Sequence, residues 1–196
     1  MIPAPKRLLF VRHGETDWNA EGRLQGQRDI PLNARGREQA AAVGAALLRL
    51  APDPAALDYV ASPLARTRET MELLRAAMGL APGAYRLDPR LKEITFGDWE
   101  GLTWPEVRAR DPEGAAAREV AKWDFVPPGG ESYAGLVERV RPVLAGLGGD
   151  AVVVSHGGVA RALLNDLCGM DPRQAARLDI WQGRVLAIQG GDFAWI

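Results

Sequence analysis

The chain has 196 residues, 47% of them apolar and 25% charged, which excludes low-hydrophobicity disorder and supplies a core for one domain over residues 1–196. Twenty-four basic and 25 acidic side chains give a net charge of −1 with no basic run, so nucleic acid is not an expected partner. A lone cysteine, Cys168, excludes an intramolecular disulfide and a multi-cysteine zinc site; Ala40 to Leu48 is too short an apolar stretch to span a bilayer; and Lys6 and Arg7 precede only a four-residue apolar run, so no secretory leader is read.

Those exclusions leave a cytoplasmic enzyme or binding protein with no membrane partner. Leu8-Leu-Phe-Val11 predicts a buried strand ending at Arg12-His13-Gly14. Asn33 predicts a helix N-cap, with the helix running to about Arg49 and burying Val43, Leu47 and Leu50. Asp58 to Ala61 predicts a strand. Ser62 and Pro63 then predict an N-cap and first helical residue, ahead of a stripe of Leu64, Met71, Leu74 and Met78.

Residues 97–130 differ in character. They hold Trp99, Trp104 and Trp123, a capping box at Thr103 and Glu106, and Pro127-Pro-Gly-Gly130, and read as a largely helical insertion over the sheet's end. Ser132 to Leu147 predicts a helix that Pro142 should kink or split. Ala151-Val-Val-Val-Ser155 predicts a second buried strand, ending at His156-Gly157-Gly158, and Val159 to Cys168 a helix closed by Gly169. Arg184 to Gln189 and Phe193 to Ile196 pair as a hairpin through Gly190-Gly191. Buried strands separated by helices imply an α/β fold, three layers deep, around a mostly parallel sheet.

The chain's two histidines each follow a predicted core strand and precede a glycine. If those strands are neighbours, both imidazoles reach one crevice at the strands' carboxyl ends, where α/β sheets bind ligands. Two imidazoles beside Arg12 suit an anion. They do not suit a metal: no further histidine, carboxylate cluster or H-E-x-x-H accompanies them. Arg66 and Arg68, in the first turns of the helix after Ser62, both compete to return to that crevice, and periodicity does not choose between them. Glu93 stands just before the insertion.

Five segments in order carry a resemblance. Leu8-Leu-Phe-Val-Arg-His-Gly-Glu-Thr-Asp-Trp-Asn19 with Gly22-Arg-Leu-Gln-Gly26, then Ser62-Pro-Leu-Ala-Arg66-Thr-Arg-Glu-Thr70, Glu93-Ile-Thr-Phe-Gly-Asp-Trp-Glu-Gly101, Pro127-Pro-Gly-Gly-Glu-Ser132 and Val154-Ser-His-Gly-Gly-Val-Ala-Arg161 resemble the motifs of the histidine phosphatase superfamily, phosphoglycerate-mutase-like branch. The resemblance implies a metal-independent phosphomonoesterase that needs no cofactor and acts on a small phosphorylated metabolite through a phosphohistidine. It implies His13 as nucleophile, Arg12, Arg66 and protonated His156 around the phosphoryl group, and Glu93 as proton donor. Should Glu93 only position the phosphate, an acidic neighbour such as Asp98 or Glu100 becomes the candidate donor. Asn19, Gln25, Gly26 and Gly157 would line the pocket.

The family also contains mutases, which carry an adjacent arginine pair after a tryptophan in the insertion and a tyrosine in the third motif. Here Trp123 precedes Asp124-Phe125 and the third motif has Phe96; the chain is also short for a mutase. A phosphatase resembling bacterial broad-specificity and α-ribazole phosphatases is therefore the expectation. A mutase, or a non-catalytic phospho-ligand-binding module, is the alternative.

Overall fold

The computed structural model describes residues 7–196; Lys6, on which the leader reading partly rests, lies outside them. Six strands form one sheet, with β3 (Arg86–Leu87), β2 (Asp58–Ala61), β4 (Ala151–Ser155), β1 (Leu8–Arg12), β5 (Val185–Gln189) and β6 (Asp192–Trp195) in spatial order. The pairs from β3 to β1 are parallel, and the predicted hairpin β5–β6 adds two antiparallel pairings at the edge.

Continuous apolar strands mean a sheet covered on both faces, and alternate residues divide between them. Leu8, Phe10, Ala151 and Val153 point toward α6 (Tyr133–Ala145) and α7 (Gly157–Cys168), meeting Leu136, Val140 and Leu163. Leu9, Val11, Val152 and Val154 point toward α2 (Ala34–Leu50) and α3 (Ala65–Ala77), meeting Val43, Leu47, Met71 and Leu74. The result is a three-layer α/β fold.

Several local expectations hold in the structure. Asn33 caps α2 by accepting from the Gly36 amide, Thr103 and Glu106 form their capping box, and Gly169 closes α7 in the left-handed region. Segment 97–130 carries α4 (Trp104–Arg110) and α5 (Pro112–Val120) over a small core of Leu24, Trp99, Val107 and Ala115. Composition and pattern did not announce the short helices α1 (Asp17–Ala20) and α8 (Pro172–Arg177), or the two-residue β3.

Two expectations are corrected. Pro142 does not split α6: it lies in the last turns on the exposed side, above an exposed Glu138, so the carbonyl it frees faces water. Ser62 is not the N-cap of α3. That position belongs to Leu64, and the Asp29 carboxylate accepts from the Ala65 amide instead (2.7 Å), freeing the Ser62 hydroxyl for another partner. No helix among the described residues is long and apolar enough to cross a membrane.

The sheet order places β4 between β1 and β2, with Arg12 level with Ser155. The next residues along, His13 and His156, therefore leave adjacent strands side by side. Gly14 then packs directly on α2: a Cβ there would overlap the Gly36 carbonyl. Gly14→Ala should force β1 and α2 apart. The expected cost is about 1–3 kcal/mol, as for other overpacked interiors, read in urea titrations as a lower midpoint with an unchanged slope.

Candidate active site

The His13 and His156 rings meet edge to face with centroids 5.2 Å apart, both buried. His13 Nδ1 lies 2.7 Å from the Gly14 carbonyl, an acceptor, so Nδ1 carries the proton and Nε2 is unprotonated. Arg66 Nε–H points at Nε2 from 3.3 Å.

Arg66, not Arg68, returns to the crevice. It is completely buried, and it donates through Nη1 to the Arg28 carbonyl (2.6 Å) and through Nη2 to the Gly26 carbonyl (2.8 Å). Arg12 donates to the Ile180 carbonyl (2.8 Å), while its buried Nε has no partner. Burial pushes the Arg12 guanidinium down to about 10, against the pull of Glu93. Burial, reinforced by Arg66 and Arg12, holds the His13 imidazole well below its usual range.

His156 caps α7 from behind the pocket wall, with no exposed surface. Its Nε2 is 2.8 Å from Ser62 Oγ, and its buried Nδ1 has no partner. The Leu64 amide stands 3.5 Å from Ser62 Oγ on its other side. Burial, reinforced by Arg66, His13 and Arg12, holds the His156 imidazole well below its usual range as well. A neutral His156 still offers one N–H. Ser62 was expected as a helix cap and within a motif, with no part in the site; its contact with His156 is what the sequence did not expose.

Arg12, His13, Asn19, Gln25, Gly26, Arg66, Glu93 and Gly157, all expected from the sequence, line one pocket of about 160 Å³. Three donors, Thr16 N, Thr16 Oγ1 and Gln182 Nε2, converge on Asn19 Oδ1 and turn its amide nitrogen outward. The Gln25 side-chain oxygen is buried without a partner. Glu93 accepts from the Gly158 amide (3.0 Å) and the Ile94 amide (2.9 Å), at the start of α7. A Cβ on Gly158 would overlap that carboxylate, so glycine is what lets the two approach.

Asp98 is exposed, and Glu100 is occupied elsewhere: it binds the Gln27 and Phe96 amides and the Thr95 hydroxyl, and pairs with Arg28. Neither lines the pocket. Arg23, Leu24 and Arg161 do, without having been singled out from the sequence, and so does Phe96, noted there only as standing where mutases carry a tyrosine. The insertion tryptophans are not on this wall: Trp99 is buried in the small core and Trp123 stacks on Tyr133 (5.4 Å between ring centres).

The Arg12 Nε–H and the His156 Nδ1 are thus buried without partners beside an imidazole whose Nε2 carries no proton and faces Arg66. The orphaned Arg12 donor costs about 1–3 kcal/mol until an acceptor arrives. Tetrahedral anions with several oxygens answer that demand. Among the described residues no group of three or more His, Cys, Asp or Glu stands where it would hold a metal ion.

Residues 8–195 match the family profile of the histidine phosphatase superfamily, branch 1. The glucosyl-3-phosphoglycerate phosphatase of Mycobacterium tuberculosis is 39% identical over 172 residues, 81% of this chain and 73% of that one. Phosphoglycerate mutase-like protein 4 of Arabidopsis thaliana is 36% identical over 162 residues, 80% of this chain and 68% of its own. The solved structure of a mycobacterial glucosyl-3-phosphoglycerate phosphatase complexed with VO3 superposes with a TM-score of 0.81 at 32% identity, covering 97% of this chain and 96% of that one.

The neutral imidazoles make stability depend on pH. An unfolded histidine protonates near pH 6.5; folded His13 and His156 do so only well below that. Stability is full above the unfolded value and falls as pH drops toward the folded values, by up to about 1.4 kcal/mol per pH unit for each histidine. Urea unfolding between about pH 5 and 6.5, above the range where ordinary carboxylates titrate, should show this slope. His13→Gln should remove roughly half of it; a flat wild-type profile would contradict the neutral pair.

Proposed function

The chain belongs to the histidine phosphatase superfamily, and from that premise we propose that it hydrolyses a small phosphomonoester through a phosphohistidine on His13. The observation that carries the reading is the unprotonated Nε2 of His13 between two arginines, facing Arg66 Nε–H, with the partnerless Arg12 Nε–H and His156 Nδ1 beside it.

His13 Nε2 attacks phosphorus as the ester P–O bond breaks. Arg12, Arg66, the His156 Nδ1–H and the Gly157 amide hold the equatorial oxygens, whose charge is best met by donors fixed in advance. Glu93 protonates the departing alkoxide. Water then attacks phosphorus, its proton passes to the Glu93 carboxylate, and the P–N bond breaks. The products are an alcohol and inorganic phosphate, with His13 and Glu93 restored. One difficult displacement becomes two easier ones. Every charge in this cycle is met by a side chain or amide, so no metal is required. The M. tuberculosis relative is named for a phosphorylated metabolite, the class of substrate assigned here.

Hydrolysis is preferred to mutase action because Asp124-Phe125 follow Trp123 where the resemblance implies paired arginines in mutases. Rapid quench of radiolabelled substrate should trap an acid-labile phosphate on the peptide containing His13. An adduct on the His156 peptide would reverse the two roles.

Glu93 is expected to matter in proportion to how poorly the alcohol leaves. Glu93→Gln keeps the size but has no acidic proton. It should lower kcat/KM for alkyl phosphates by about 10²–10⁴-fold, the usual worth of a general acid. Loss on p-nitrophenyl phosphate should be far smaller, since nitrophenolate departs unaided. Comparing kcat/KM confines the test to steps up to phosphorylation of His13. Equal losses on both would reduce Glu93 to a positioning residue.

A further inference from the structure

Pro127-Pro-Gly-Gly-Glu-Ser132 puts no side chain into the phosphoryl pocket, yet it lies directly on the segment that carries Glu93. The Glu131 amide donates to the Thr95 carbonyl (3.0 Å), and the Pro128 carbonyl accepts from the Asp98 amide (2.9 Å). Gly97 stands in the left-handed region (φ +57°), where a Cβ would overlap the Pro128 carbonyl, so the two segments touch backbone to backbone. Ser132 then caps α6 by accepting from the Gly135 amide (3.1 Å), and Arg139, about two turns along that helix, folds back over Glu131.

Every N–H of the Arg139 guanidinium is engaged. Nε and Nη2 fork onto the two oxygens of Glu131 (2.9 and 2.8 Å). Nη1 donates to the Arg90 and Lys92 carbonyls (2.5 and 3.0 Å), and Nη2 donates also to the Glu93 carbonyl (3.3 Å). Gln27 Nε2, from the loop that holds Arg66, reaches the same Glu93 carbonyl (3.1 Å). Residues 92–96 are in neither helix nor strand, and among the described residues no backbone amide donates to the carbonyls of Arg90, Lys92 and Glu93. One mostly buried guanidinium thus does for this stretch what a neighbouring strand does elsewhere: it satisfies the carbonyls and fixes their path. A lysine ammonium, a single point with rotating donors, does not span a carboxylate and three carbonyls. Glu93 is therefore held at both ends, its carboxylate by the Gly158 amide and its carbonyl by Arg139.

We propose that the Arg139–Glu131 pair is a clasp that positions Glu93 as proton donor, so that segment 127–132 serves the proton-transfer step rather than phosphoryl binding. This rests on reading Glu93 as the general acid. A proton donor works only within hydrogen-bond reach of the departing oxygen, and a misplacement of about 1 Å costs on the order of 10²-fold. Neither Arg139 nor Glu131 lines the pocket, so both are positioning residues that act through the backbone of 90–95.

The test is kcat/KM for p-nitrophenyl phosphate, phenyl phosphate and glycerol 3-phosphate, whose leaving groups need a proton increasingly in that order. Arg139→Lys retains the positive charge that helps to lower His156, and Glu131→Gln retains the size of the side chain, so each breaks the fork with little other change. Each should lower kcat/KM for glycerol 3-phosphate by about 10–10²-fold and for p-nitrophenyl phosphate by no more than about twofold, with phenyl phosphate between. Added to Glu93→Gln, Arg139→Lys should cost no more than about twofold on any probe, because the group it misplaces is already gone. No loss, a loss of equal size on all three probes, a loss that persists in the Glu93→Gln protein, or failure of both single variants to fold by circular dichroism overturns the clasp and leaves the pair a part of the fold alone. If Glu93→Gln itself loses equally on every probe, the general-acid reading falls and the clasp with it. Failure of the unmodified protein to release phosphate from any probe overturns the phosphatase reading as well.

Discussion

Two arginines, Arg66 fully buried and Arg12 half-buried, stand at the carboxyl ends of β1 and β4, and among the described residues neither has a carboxylate within ion-pair distance. A buried charge left alone costs several kcal/mol. Here the charges are met by peptide carbonyls: Gly26 and Arg28 for Arg66, Ile180 for Arg12. Those carbonyls must be held in place, and Glu100 does so by binding the Gln27 amide, pairing with Arg28, and reaching back to Phe96. An acid that would otherwise compete for the proton-donor role is thus a strut for the loop that holds Arg66. Burial, reinforced by the same uncompensated field, holds the His13 and His156 imidazoles well below their usual range. A nucleophile unprotonated at neutral pH and a strong demand for an anion are two consequences of one arrangement.

Much of this was legible in the residues. The alternation of Leu8 to Val11 and of Ala151 to Val154 between two helical layers is what an uninterrupted apolar strand means, and it set both histidines at strand ends. Their adjacency was not legible, because it depends on β4 entering between β1 and β2, a pairing over about 140 positions that local pattern does not encode. Local propensity also misassigned Ser62. A serine followed by proline is a good cap, but a buried imidazole needing a partner took its hydroxyl, and Asp29, remote in sequence, capped the helix instead. Arg161 and Arg139 escaped notice for a related reason. A half-buried arginine on a helix looks like any solvated one until the elements facing it are known.

The way the pocket holds its charges bears on the proposed reaction. Arg12 and Arg66 are fixed by backbone carbonyls, so the groups around phosphorus need not reorganise as charge moves in the transition state. In the proposed cycle the alcohol must leave before water reaches the phosphohistidine, whereas a mutase must retain it and return the phosphoryl group. A pocket of about 160 Å³ whose fixed donors are gathered around one phosphoryl group holds the alcohol chiefly through that group, so the alcohol loses its anchor when the ester bond breaks, which is the order of events that hydrolysis requires.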